Sequence, residues 1–261
     1  MTALHSHSEA AEPFVQRHYF LLRRLHSLTG VAPIGLFLFP HLATNSSIVW
    51  GRFIGDPSYG DGGVESFQHE VNFIHNLPFL FFIEMFALWL PIAFHAILGV
   101  WFARTGRSNV KHYSWSANRR YTLQRLSGYL GVVFIFLHLA SLRFGITFGG
   151  LFPTFDPVHA ASSTALHFGD GLPGLLRAAF YLVCVLALVY HFANGLWTAA
   201  ITWGLTISAG AQRRFAYVCV AVGLLLGAAG VTAVLGFASL DPVKAREIEL
   251  KMLGGDGAVH S

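Results

Sequence analysis

Fourteen histidines occur in the chain, and four of them, His41, His95, His138 and His191, stand deep inside runs of apolar residues. A neutral imidazole is tolerated there only if its ring nitrogens find partners. One such histidine is explained by a hydrogen bond to a neighbouring helix, but four ask for a joint explanation. Two share a local pattern: His95, Gly99 and Trp101 of FHAILGVW recur as His191, Gly195 and Trp197 of YHFANGLW, 96 positions downstream, and His138 follows His41 by 97. Metal ligation is the chemistry this set offers. A structural zinc takes about four ligands, and no cysteine or carboxylate completes a set with ligand spacing. Cys184 and Cys219 show no such spacing and read as small apolar fillers.

The elements that position these histidines follow from composition. The chain is 54% hydrophobic and 11% charged, with mean hydropathy +0.54, whereas soluble domains carry about 25% charged residues. Five apolar stretches, near 25–49, 79–103, 126–148, 174–203 and 215–239, are each long enough to cross a hydrocarbon core about 30 Å thick. They lack the two-residue alternation of barrel strands. The expected fold is therefore all-α, an integral membrane bundle of five transmembrane helices, with helices one to four a duplicated four-helix core. Residues 1–22 form an N-terminal segment, 23–240 the membrane domain and 241–261 a C-terminal tail. No cleavable leader is evident, because the first apolar run already has spanning length.

Charge orients the bundle. Arg104, Arg107, Lys111, Arg119, Arg120 and Arg125 gather between the second and third stretches, whereas Asp56, Asp61, Glu65 and Glu70 oppose Arg52 alone between the first and second. The positive-inside rule puts the first connection and the N-terminus in the cytoplasm, and the second connection and the tail DPVKAREIELKMLGGDGAVHS outside. This is expected in a bacterial inner membrane. The net charge of +4 is then a topology signal, with no nucleic-acid motif behind it. Residues 1–16 and the tail read as mobile or partner-bound.

Counted at 1.5 Å per residue, each histidine lies about 20 to 25 Å along its helix from the end where that helix enters. Helices one and three run outward and helices two and four inward. His41 therefore meets His138 on the outer side, and His95 meets His191 on the cytoplasmic side. Two bis-histidine sites at different depths suit haem, which supplies four equatorial nitrogens and needs two axial donors. Two haem b groups are the expected cofactors. Gly99 and Gly195 either give the flat macrocycle room or serve ordinary close helix packing.

Other polar residues are secondary candidates. Glu84 is the one acidic residue within a predicted span; it reads as a proton donor, as a partner for a haem edge, or as a carboxyl held by a helix hydrogen bond. His75 and Asn76, before Pro78, are polar residues at a loop end, where such residues are commonly solvated. Arg24, His26 and Ser27, and in parallel Arg125 and Ser127, are open to holding haem propionates or to capping and orienting their helices. Pro40 removes a helical hydrogen bond just before His41, and a kink there is one way to aim the imidazole.

The segments RRLHSLTGVAPIGLFLFPHLATN (23–45), IEMFALWLPIAFHAILGVW (83–101), LQRLSGYLGVVFIFLHL (123–139) and YHFANGLWTAAITWGLT (190–206) resemble the dihaem cytochrome b subunit of succinate dehydrogenase and the related fumarate reductases. The resemblance runs over roughly residues 18–237. It implies axial ligation of haem iron by His41, His95, His138 and His191, and partnership with a flavoprotein subunit and an iron-sulfur subunit on the cytoplasmic side. It also implies electron relay through the haems to a membrane quinone, commonly menaquinone; beside such a quinone Glu84 is a candidate proton donor, His75 and Asn76 are candidate contacts of its head, and Arg24, His26, Ser27, Arg125 and Ser127 are candidates to line an inner quinone site. The chain itself has no Gly-rich dinucleotide fingerprint and no cysteine cluster, so no dicarboxylate, flavin or iron-sulfur site is expected in it. Some dihaem fumarate reductases have a glutamate two residues before the fourth histidine, where this chain has Val189; a proton pathway of that kind is not expected. Two rivals are a cytochrome b subunit of a hydrogenase or formate dehydrogenase, and a haem-free anchor whose histidines bridge helices.

Overall fold

The computed structural model describes residues 14–105, 116–169 and 171–256. In chain order the helices are α1 (Phe14–Arg17), α2 (Tyr19–Val31), α3 (Pro33–Ile54), α4 (Gly62–His75), α5 (Leu80–Ile83), α6 (Leu90–Thr105), α7 (Ser116–Leu142), α8 (Ala160–His167), α9 (Gly171–Thr202), α10 (Ala209–Ala238) and α11 (Pro242–Asp256). Five helical stretches are long and apolar enough to cross a membrane: Tyr19–Ile54, Leu80–Thr105, Asn118–Leu142, Gly171–Thr202 and Ala209–Ala238. No strand occurs among the described residues. The chain is an all-α membrane bundle, in which α10 packs on α9 and α3, α9 on α7 and α2, and α6 on α2 and α7.

Prolines and glycines decide where the spans depart from the apolar runs. The first span is interrupted at Ala32, between α2 and α3, where Pro33 opens a new helix at a position needing no N–H. Pro40 lies inside α3 without ending it, so the break falls before Pro33 rather than at Pro40. In the second span a π-helical turn, Glu84–Trp89, joins α5 to α6, and the Leu90 N–H reaches back to the Met85 carbonyl. Widening the helix there accommodates Pro91, which has no N–H and would crowd an α-helical turn. The third span stops at Leu142, short of the apolar run's end at 148. Beyond it Gly145, Phe148, Gly149 and Gly150 all take positive φ and turn the chain.

One end of the bundle carries a folded cap built from α4, α8 and α11. Gly51 of α3, Gly55 just past its end and Gly63 of α4 let backbones touch: a Cβ at Gly63 would lie 2.2 Å from the Ile48 carbonyl oxygen, and one at Gly55 2.3 Å from that of Gly62. The first N–H groups of α8 are met from outside the helix. Ala160 donates to Gln68 Oε1 of α4 at 2.8 Å. Ser162 donates to Glu249 of α11 through its N–H at 3.0 Å and its hydroxyl at 2.6 Å. Asp156 adds an ion pair to Arg246 of α11 at 3.6 Å. The C-terminal tail is thus a docked helix over 242–256, with Ala245, Ile248, Glu249 and Met252 buried, which corrects the expectation of a mobile or partner-bound tail. Its polar residues hid a buried face. The N-terminal residues 1–13 lie outside the described residues.

Candidate functional site

The four membrane histidines meet in two pairs. The His41 and His138 ring centroids are 5.9 Å apart with planes at 89°, and those of His95 and His191 are 6.1 Å apart at 83°. Two metal–imidazole bonds of about 2 Å each, plus half a ring at either end, come to about 6 Å. Both spacings therefore suit one metal ion between two rings. The first pair lies toward the capped end and the second toward the opposite, open end. Tyr181, which touches His138, and His191 are ten residues apart on α9, while Gln124, which touches His191, and His138 are fourteen apart on α7. Those intervals separate the pairs by between about 15 and 21 Å along the bundle.

At the open end each histidine is held by the same device. His95 Nδ1 lies 2.8 Å from the His26 carbonyl oxygen, and His191 Nδ1 lies 3.0 Å from that of Gln124. Four residues after each carbonyl stands a glycine facing the imidazole: a Cβ at Gly30 would lie 2.5 Å from His95 Cε1, and one at Gly128 3.0 Å from His191 Cε1. A hydroxyl precedes each glycine and bonds the same carbonyl, Thr29 at 3.0 Å and Ser127 at 3.1 Å. Engaging Nδ1 fixes the ring and leaves Nε2 for a metal, the usual way a ligand histidine is oriented. The underlying pattern is HSLTG (26–30) echoed as QRLSG (124–128), a likeness that histidine spacing alone does not reveal.

Gly99 belongs to this device rather than to open space: a Cβ there would meet His26 Cε1 at 3.1 Å, so the glycine admits the side chain whose own carbonyl anchors His95. At Gly195 a Cβ would meet Gln124 Nε2 at an ordinary 3.5 Å. The His26 ring stacks on that of His95 with centroids 4.0 Å apart. Gln124 donates to the His191 carbonyl at 3.1 Å and accepts from Asn194 at 2.8 Å.

The capped-end pair is held differently, by rings one turn earlier: Phe37 against His41 at 5.1 Å and Phe134 against His138 at 5.4 Å. Just outside the spans His167, the last residue of α8, is 1% exposed. Burial pulls its imidazole down to about 4, and neighbouring Arg177 acts in the same direction.

The remaining candidates divide. His26 and Ser127 join the open-end site as described. Arg24 sits over Phe20 at 4.4 Å and Trp203 at 5.6 Å, Arg125 over Tyr121 at 5.2 Å, and Ser27 is half-buried on the His26 turn. Glu84 receives a two-pronged ion pair from Arg143, Nη2 to Oε2 at 2.8 Å and Nε to Oε1 at 3.1 Å; sequence reasoning missed this arginine, which falls just past the end of α7. His75 and Asn76 are exposed at the end of α4, and no hydrogen bond among the described residues joins them to Glu84.

No family model matches the chain. Over 218 residues, 84% of this chain and 96% of the relative, it is 34% identical to the succinate dehydrogenase cytochrome b558 subunit of Bacillus subtilis (strain 168). The chain belongs to the family of succinate dehydrogenase cytochrome b subunits. That membership sets aside the hydrogenase and formate dehydrogenase rival, and it accords with a bundle that brings histidines from four spans into two facing pairs. Within this cytochrome b subunit family the chain is a multi-pass membrane protein, the membrane part of an oxidoreductase complex.

Proposed function

We propose that the protein relays electrons from an iron-sulfur subunit, fed by a flavoprotein subunit, through two bis-histidine b haems to a membrane quinone such as menaquinone. The two imidazole pairs, 5.9 and 6.1 Å between centroids and at different depths, carry this reading. Haem held between these pairs would supply one-electron chemistry. The chain's own residues set its place: His41 with His138 at the capped end, His95 with His191 at the open end, the latter pair oriented by the His26 and Gln124 carbonyls. Arg24, Ser27 and Arg125, near the open end, would hold haem propionates. Glu84, fixed by Arg143, is the group able to hold or pass a proton to a quinone, with His75 and Asn76 as further contacts of that site. The capped end faces outside a bacterial inner membrane and the open end faces the cytoplasm, because Arg104, Arg119, Arg120 and Arg125 cluster at the latter.

Reduced-minus-oxidised spectra of the purified complex test this. Two b-type components are expected. Replacing His41 or His138 by alanine removes one, and replacing His95 or His191 removes the other. A wild-type complex without b bands, or losses that pair the histidines otherwise, overturns the proposal.

A further inference from the structure

Beside the capped-end pair, buried polar atoms accumulate without partners. His167 is 1% exposed and neither of its ring nitrogens makes a hydrogen bond; the His138 Nδ1 and the Tyr181 hydroxyl are also buried and unbonded. They form one neighbourhood. The Tyr181 ring lies 5.9 Å from that of His138 and 5.1 Å from Phe168, whose ring is 6.4 Å from His167. His167 is also within electrostatic range of His138.

The Ser141 hydroxyl lies near enough to interact with that of Tyr181 but makes no hydrogen bond with it, and no hydrogen bond from the described residues reaches either His167 nitrogen. His167 is stacked on Phe152 at 5.7 Å, and Phe134 closes on Tyr181 at 5.1 Å, so the walls are aromatic. The adjacent Arg177 is spent on backbone, donating to the carbonyls of His167 and Leu151. Buried donors left unpaired cost about 1–3 kcal/mol each, and a cluster of them in a native fold calls for an unseen partner. An imidazole N–H and a phenol O–H can both donate to an oxygen atom, and the Arg177 charge favours a partner with negative character.

We propose that His167 and Tyr181 are the donor wall of a binding site for an oxygen acceptor at the edge of the capped-end histidine pair: a carboxylate of the haem held there, or the carbonyl of a quinone head. This rests on the haem reading above. The cap thereby contributes to the cofactor site itself, since His167 comes from α8.

The test uses the purified complex with Tyr181→Phe, His167→Phe and His167→Gln, reading the midpoint potentials of both haems and the KM for quinone. If the acceptor is the haem carboxylate, losing a donor leaves its negative charge less compensated, which favours ferric iron. The potential of the haem lost in His41 variants then falls, while the other haem and the quinone KM stay at wild-type values. With a quinone carbonyl, KM rises several-fold and both potentials hold. Glutamine, which restores a donor, reverses part of either effect. Tyr181→Phe removes one oxygen and keeps the ring packing, so it stands as the test if His167→Phe fails to assemble. Wild-type potentials and KM in both Tyr181→Phe and His167→Phe, in a complex holding both haems, overturn the site. A wild-type complex without haem would instead sink the reading beneath it.

Discussion

His95 and His191 are anchored through backbone carbonyls, and this explains which parts of the site are legible in sequence. An imidazole in an apolar span stands out because polar groups are expensive there; a carbonyl acceptor is present at every residue and has no letter of its own. Only the glycines betray it, and HSLTG and QRLSG are recognisable once the contact is known. Alanine at Gly30 or Gly128 should push the imidazole ring off its carbonyl, because the new Cβ would sit 2.5 or 3.0 Å from Cε1. Overpacking of this kind costs about 1–3 kcal/mol, and loss of the orienting bond about 10–100-fold in metal affinity. Either variant should lose most of the haem signal assigned to His95 and His191 and keep the other. Gly195→Ala, at an ordinary 3.5 Å, is the control and should retain both. Retention of both haems in Gly30→Ala would mean the ring is not held from that side.

Among the elements, the spans were readable from hydropathy, and their ends were not. Helix α7 stops at Leu142 while the apolar run continues, because turn geometry at Gly145, Gly149 and Gly150 decides what hydrophobicity cannot. The tail misled in the opposite sense: residues 241–261 read as mobile or partner-bound, yet Glu249 is among the most deeply buried side chains at 1% exposure. Its carboxylate serves the N-terminal turn of α8, where N–H groups lack intrahelical acceptors and the helix dipole favours negative charge. Glu249→Leu leaves the Ser162 N–H without an acceptor, while the hydroxyl keeps the His159 carbonyl at 3.3 Å, a cost of about 1–3 kcal/mol. Amides of α11 and α8 should then exchange about tenfold faster with solvent deuterium, at about 1.4 kcal/mol per tenfold. Glu249→Gln keeps an acceptor oxygen and should show a smaller effect. Unchanged exchange in the leucine variant would show that the apolar contacts of Ala245, Ile248 and Met252 hold α11 by themselves.

For the whole molecule, the five-span count obliges α11 to emerge at the end opposite the N-terminus, and the cap meets that demand: the connections that include α4 and α8 converge there with α11. Which end faces the cytoplasm depends on charge alone, with Arg104, Arg119, Arg120 and Arg125 at the open end against Asp56, Asp61, Glu65 and Glu70 at the capped one. Cysteine labelling decides it with little background, because the native Cys184 and Cys219 are both buried. In intact cells a membrane-impermeant thiol reagent should modify cysteine placed at the exposed Leu253 of α11. Cysteine at the exposed Arg119, near the start of α7, should react only after the membrane is permeabilised. The reverse pattern would put the His41–His138 pair nearest the cytoplasm. Electrons from a cytoplasmic iron-sulfur partner would then enter at the aromatic-walled site beside His167, and the carbonyl-anchored pair would have to serve the quinone.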